Sequence, residues 1–356
     1  MHRPLPQDLK SALRIPYALR RVPVESMQTL LPVPSTPRPG DIVIARVEKI
    51  GKNTNLETRE GRRASLQPGD VIAAVFGNRY ATLQFEGYAR ADGDRCDLLS
   101  MGGLCGMVAS KHDGVPDPSK LKLLGALGDA KGRPLHLQDF ALTSAPRLGG
   151  APLPRIIVVV GTSMDAGKTH TARSLIMGLR KDGDAVAALK LTGSAAGKDT
   201  YTMLDAGACV ALDFIDGGWP STYQCTVDDL LYCYRVLVSH AASVGASWLV
   251  VEIADGIVQG ETAALLASRR FTATVDAWVV AAGDALGAAG ATSLLRTHGI
   301  RPIAVSGLAS RSLLARREVH AATGIQCISA PELEEGALND QLNGDEQAVG
   351  VRAFVS

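Results

Sequence analysis

The residues best equipped for chemistry in this 356-residue chain lie between positions 156 and 170. Ile156-Ile157-Val158-Val159-Val160 is an unbroken apolar run. Gly161-Thr162-Ser163-Met164-Asp165-Ala166-Gly167-Lys168-Thr169 follows it directly, and His170-Thr171-Ala172-Arg173-Ser174-Leu175-Ile176 then reads as the opening of a helix. A buried strand, a glycine-bearing loop and a helix in that order can cradle phosphate. N–H groups of the loop and of the helix start converge on one anion, and the helix dipole adds to their pull. In such a cradle Gly167 lets the backbone approach closely, Lys168 reaches the terminal phosphates, and the Thr169 hydroxyl ligates Mg²⁺. Residues 161–170 are therefore predicted to hold ATP, with GTP as the alternative. One departure stands out. The strict GxxxxGK[ST] pattern wants glycine at 162, and this chain has Thr162 with Gly161 one place earlier.

Such a loop needs a rigid sheet behind it. Apolar runs at 155–160, 185–191, 248–253, 277–281 and 302–306 read as strands, and 168–182, 226–243, 261–269, 286–298 and 311–322 as helices. Strands that are apolar throughout and alternate with helices predict an α/β fold, a mainly parallel sheet covered on both faces. Function in such a sheet gathers at the C-terminal ends of its strands. One of those ends, Leu249-Val250-Val251-Glu252-Ile253-Ala254-Asp255-Gly256, carries an acid at the tip of an apolar strand, where a metal can be faced from a rigid element.

The rest of the chain has another rhythm. Residues 40–110 show short strands, among them 41–47, 54–58 and 71–76, separated by Gly, Pro and Asn turns. That spacing predicts a small β-barrel or sandwich. The predicted spans are a proline-rich extension at 1–35, the β-rich domain at 36–150, the α/β domain at 151–335 and a tail at 336–356, with residues 148–154 as a linker.

The string Gly-Thr-x-x-x-x-Gly-Lys-Thr at 161–169 resembles the phosphate loop of dethiobiotin synthetase. That branch of P-loop proteins also includes the cobyrinic acid amidating synthases and MobB, the molybdopterin-guanine dinucleotide biosynthesis adaptor. Ala188-Leu189-Lys190-Leu191-Thr192-Gly193 is similar to the synthetases' Lys-Pro-Val segment, although the proline is absent, and the resemblance makes Lys190 a residue that holds substrate and γ-phosphate. Gly197-Lys198-Asp199-Thr200 and Asp205-Ala206-Gly207-Ala208 are similar to MobB's patterns and imply Asp199 as a Mg²⁺ ligand or its neighbour. The segment at 249–256 looks like the Val-Glu-Gly stretch that supplies a metal-binding glutamate; Glu252 is the main candidate and Asp255 the weaker. Ser306-Gly307 falls where the branch places base recognition. The resemblance covers about residues 155–335, and the chain is also similar to the DUF1611 proteins.

What the resemblance implies is a Mg²⁺-ATP-dependent enzyme that activates a small-molecule carboxylate by phosphoryl transfer, with Lys168 and Lys190 as the catalytic cations. It also implies a homodimer. A nucleotide-binding adaptor, an acyltransferase using acetyl-CoA and a regulatory switch are the alternatives. Composition narrows the partners. With 37 Lys+Arg against 36 Asp+Glu, no global field draws nucleic acid or a membrane surface. The apolar runs before Gly161 are too short to span a bilayer, and MHRPLPQDLK has no signal-peptide core. A cytoplasmic protein is expected, its six scattered cysteines reduced. The Gly/aromatic stretch at 213–223 is a candidate substrate lid.

Overall fold

The computed structural model describes residues 3–145 and 152–344. Positions 148–151 of the expected linker and 345–356 of the expected tail lie outside the described residues. The chain divides into two units. The first runs to Thr143 and takes back two later pieces, Gly193–Lys198 and Phe214–Gln224; the second holds Ser144–Thr192, Asp199–Asp213 and the chain from Cys225 onward. The division departs from the four sequential spans expected above.

In the first unit the strands are β1 (Arg3–Pro4), β2 (Thr29–Leu31), β3 (Ile42–Lys49), β4 (Asn55–Glu57), β5 (Arg63–Ser65), β6 (Val71–Phe76), β7 (Phe85–Tyr88), β8 (Arg95–Leu98), β9 (Leu104–Lys111) and β10 (Ser119–Gly128), with a short helix α1 (Gln7–Ala12). Pairing runs from β3 to β6, β9, β8, β10 and back to β3, which closes a ring. Closure leaves none of these five strands with a free edge. Its interior follows the period of two: Val43, Ala45 and Val47 on β3 and Ile72, Ala74 and Phe76 on β6 share one core.

Of the expected extension, residues 3–35 belong to this unit. Strand β2 pairs with β10, and Tyr17, Ala18 and Leu19 are buried. The prolines set the chain direction, but the apolar side chains between them have a core to enter. The two returning pieces are tied down within this unit. The Gly197 N–H donates to Glu57 Oε2 at 2.7 Å, and Ser100 Oγ donates to the Ala195 carbonyl at 3.0 Å. Arg20 pairs with Asp216 at 2.6 Å, and Ser194 bridges Ser221. The stretch expected as a lid is thus anchored scaffold.

The second unit contains β11 (Arg155–Gly161), α2 (Lys168–Lys181), β12 (Val186–Lys190), α3 (Lys198–Asp205), β13 (Val210–Asp213), α4 (Val227–Ser243), β14 (Trp248–Glu252), α5 (Gly260–Ala267), α6 (Arg269–Thr272), β15 (Ala277–Ala281), α7 (Ala285–Thr297), β16 (Ala304–Ser306), α8 (Leu313–Thr323), α9 (Ala330–Glu334) and α10 (Asn339–Gly344); α3 begins one residue before this unit resumes. The sheet order is β13-β12-β14-β11-β15-β16, and every pairing is parallel. This is an α/β fold with a parallel sheet flanked by helices. From β11 the chain crosses to one side of the sheet and from β15 to the other, so the end of β11 lies at a switch point where a crevice must open. Residues 339–344 belong to the fold rather than to a tail: Asn339 Nδ2 donates to the Gly178 carbonyl and to Asp182 Oδ2, both at 2.9 Å. Among the described residues no helix is long and apolar enough to cross a membrane.

Candidate phosphate and metal site

Strand β11 is buried from Ile156 to Gly161, because neighbours cover it on both edges and helices on its faces. It delivers the loop 161–167 to the switch point. Gly161 explains the unusual spacing. A Cβ there would sit 2.7 Å from both Cγ and Cδ of Lys168. Glycine at 161 is what lets the lysine stem fold over the strand end, where its Nζ donates to the Ser163 carbonyl at 2.7 Å. Thr162 has its own place: its N–H donates to the Ala281 carbonyl at 3.0 Å. Ser163 is exposed and its hydroxyl donates to the Met164 carbonyl at 3.1 Å. Asp165 is exposed with a left-handed φ of 62°, and Ala166 is buried.

Thr169 stands on the first turn of α2. Its Oγ1 lies 2.9 Å from Glu252 Oε1 and 3.2 Å from Asp199 Oδ1. The sheet accounts for the first distance, since β14 is the neighbour of β11 and ends at Glu252. Lys190 ends β12, in register with Glu252, and pairs with Asp199. Four strand and helix ends thus bring Lys168, Thr169, Lys190, Asp199 and Glu252 together. Asp213, read from the sequence as the start of the lid stretch and not as a residue of this site, joins them: it ends β13 in register with Lys190 and is fully buried. An acid closing the short Val210–Asp213 strand was the available signal.

The electrostatics follow from burial. Burial, then the neighbouring Asp199, push the Glu252 carboxyl up to about 7, against the pull of Lys190, Lys168 and the Thr169 hydroxyl. Burial also disfavours the Lys190 ammonium, but Asp199 and Glu252 outweigh it and hold Lys190 above the usual lysine range. Lys168 is pulled below that range by burial, which Glu252 and Asp255 only partly oppose. Asp255 itself has φ 61°, a left-handed conformation rare outside glycine.

A Mg²⁺ ion fits this donor set. Glu252 Oε2 is buried and has no hydrogen-bond partner. A buried carboxylate oxygen left open is costly unless something cationic meets it. Among the described residues no cluster of three or more His, Cys, Asp or Glu could hold a metal by itself. Mg²⁺ does not require one, because it keeps waters and takes substrate phosphates beside one or two carboxylates.

The remaining predicted residues flank the loop. Ser306 ends β16, buried, and its carbonyl accepts from the Ala282 N–H at 3.0 Å. Gly307 has φ 87°, and a Cβ there would stand 2.3 Å from the Ala166 carbonyl oxygen. Gly307→Ala is therefore expected to cost about 1–3 kcal/mol through strain at positive φ and to push the loop outward. A melting temperature unchanged from wild type in a thermal scan would contradict this. His170 is exposed and lines a cavity of about 450 Å³ with Gly307, Ser310, Arg311 and Arg316.

No protein-family model matches the chain, and no curated protein matches it. Among solved structures the chain is similar to a DUF1611 family protein from Anabaena variabilis, at 16% identity and a TM-score of 0.39, over 57% of this chain and 61% of that one. It is also similar to the 54 kDa signal recognition particle protein from Aeropyrum pernix in complex with GDP, at 21% identity and a TM-score of 0.34, over 58% of this chain and 50% of that one. The chain thus spans less than two thirds of either relative.

Proposed function

We propose that this chain binds a Mg²⁺-nucleoside triphosphate at residues 161–169 and transfers its terminal phosphoryl group to a small-molecule carboxylate. The observation that carries the reading is Thr169 held between Glu252 and Asp199, with one buried Glu252 oxygen still unpartnered. The Lys168 ammonium exchanges the Ser163 carbonyl for phosphate oxygens when the nucleotide enters. Thr169 and Glu252, with Asp199 beside them, would hold Mg²⁺, which supplies positive charge against the β- and γ-phosphates. Lys190 adds a second fixed cation at the end of β12. In the transfer a carboxylate oxygen of the acceptor forms a bond to the γ-phosphorus while the bond to the bridging oxygen of the diphosphate breaks. The products are an acyl phosphate and the nucleoside diphosphate. Positioned charge is the main contribution a protein makes to such a step. The cavity beside His170 and Gly307 is where the nucleoside would lie, and ATP is the nucleotide to try first, against GTP.

One observation favours a second reading. Lys190 is already neutralised by Asp199, as suits an adaptor that holds nucleotide, hydrolyses it slowly and serves a partner. Steady-state hydrolysis measured with and without a panel of small carboxylates separates the two. Acceleration by a carboxylate is expected; flat turnover would sink the transfer reading and leave the adaptor. Calorimetry with ATP, GTP and acetyl-CoA tests the ligand itself, and binding of acetyl-CoA alone would move the proposal to acyl transfer. Association as a homodimer is part of the proposal, and a monomer in sedimentation at micromolar concentration would remove it.

A further inference from the structure

The first unit contains a cavity of about 290 Å³ whose lining includes Tyr80, Thr82, Gln84, Glu86, Ser110 and Lys111. Glu86 on β7 faces Ser110 on β9 in register. Its carboxylate gathers three hydroxyl groups: Tyr88 Oη at 2.5 Å, Ser110 Oγ at 2.8 Å and Tyr223 Oη at 3.3 Å. Those hydroxyls hold Glu86 below the usual carboxylate range, with the Tyr88 bond the largest influence. Yet among the described residues no lysine, arginine or histidine pairs with it. Lys111 beside it is engaged elsewhere, by Asp117 at 2.6 Å and the Val115 carbonyl at 3.2 Å. Arg90 stacks over the Tyr88 ring at 5.4 Å.

Tyr80 lines the cavity, and the two tyrosines bonded to Glu86 lie beside it. The Tyr80 and Tyr88 rings lie 5.5 and 6.0 Å from the Tyr223 ring, tilted at 51° and 36°. An ionised carboxylate with no counter-cation, set in a cavity beside tyrosine rings, matches an organic ammonium group. The carboxylate gives charge, and the rings give quadrupole attraction that strengthens as water is excluded. A hard divalent metal fits poorly. Glu86 would be its one carboxylate ligand here, and the surrounding hydroxyls already donate to that carboxylate.

We propose that this cavity binds a small alkylammonium cation, with Glu86 as its counter-ion and Tyr80 as the ring that contacts it. The site stands independently of the nucleotide reading. The test is calorimetric titration of the full chain with tetramethylammonium chloride against a sodium chloride blank at equal ionic strength. Saturable binding at one site per chain is expected. It should weaken at least tenfold in Glu86→Gln, which keeps a hydrogen-bond acceptor but removes the charge. It should weaken similarly in Tyr80→Leu, which leaves the Glu86 hydroxyl network in place and carries the test if Glu86→Gln fails to fold. No saturable heat beyond the sodium blank would overturn the proposal. So would equal affinity in wild type and in folded Glu86→Gln.

Discussion

Lys168→Ala is expected to weaken nucleotide binding about a hundredfold while leaving the ligand-free protein as stable as before or slightly more stable. The two effects have separate causes. A charge-assisted hydrogen bond to phosphate is worth about 1.5–3 kcal/mol, and the lysine reaches more than one phosphate oxygen. Loss of about 3 kcal/mol corresponds to roughly a hundredfold in affinity. Stability moves the other way. Lys168 is 7% exposed, its one hydrogen bond goes to the Ser163 carbonyl, and no carboxylate lies within ion-pair distance among the described residues. Burial lowers its pKa, which means that the fold disfavours the ammonium. Alanine removes that cost. Calorimetry with ATP and a thermal scan without it read the two quantities separately. Unchanged ATP affinity would take the site away from residues 161–169. Lost affinity together with a collapsed melting temperature would make Lys168 a structural residue.

The same residues show why this part of the fold was legible. Strand β11, the loop and α2 are contiguous, so their period and glycine spacing stand in one window of sequence. The strands at 277–281 and 71–76 appear in the structure with those bounds, because an apolar run between turns leaves a strand little choice. Strand β13 was missed. Its four residues alternate poorly, and it exists through pairing with β12, a contact invisible to a local pattern. The same limit hid the return of residues 193–198 and 214–224 to the first unit. Glu57 and Gly197 are 140 residues apart and nothing in either neighbourhood announces the other. Residues 1–35 misled for a different reason: their prolines outweighed Tyr17, Leu19 and Met27, which the core buries.

Within the candidate site, the sequence placed the charged groups but not their couplings. Glu252 could be read as an acid at a strand tip. That one of its oxygens is buried without a partner, and that Asp199 and Lys190 neutralise each other beside it, required the register of β12 and β14 and the packing of α3. Those couplings decide what each residue does when changed.

Glu252→Gln is the change for which they give the sharpest outcome. In the fold the Glu252 carboxyl titrates near 7, while an unfolded glutamate titrates near its ordinary value of 4.5. Between those two values the native state holds more protons than the unfolded state, so stability falls as pH rises through the window. Above about pH 7 the whole penalty is present, of order 3 kcal/mol at most. The substituted side chain is neutral at every pH, and its amide oxygen still accepts from Thr169. The variant is therefore expected to melt above wild type at pH 8 and to match it at pH 5. Metal binding should move oppositely. Mg²⁺ must displace a proton from Glu252 below pH 7, so in wild type its affinity rises from pH 5 to 7 and then levels. The amide offers no charge, and in Glu252→Gln the Mg²⁺-dependent nucleotide affinity should fall at least tenfold, while binding measured in a chelator stays unchanged. A merely structural glutamine substitution would lower stability and affinity together. A variant less stable at pH 8 with Mg²⁺ dependence intact would show that Glu252 faces the interior for packing and not for a metal.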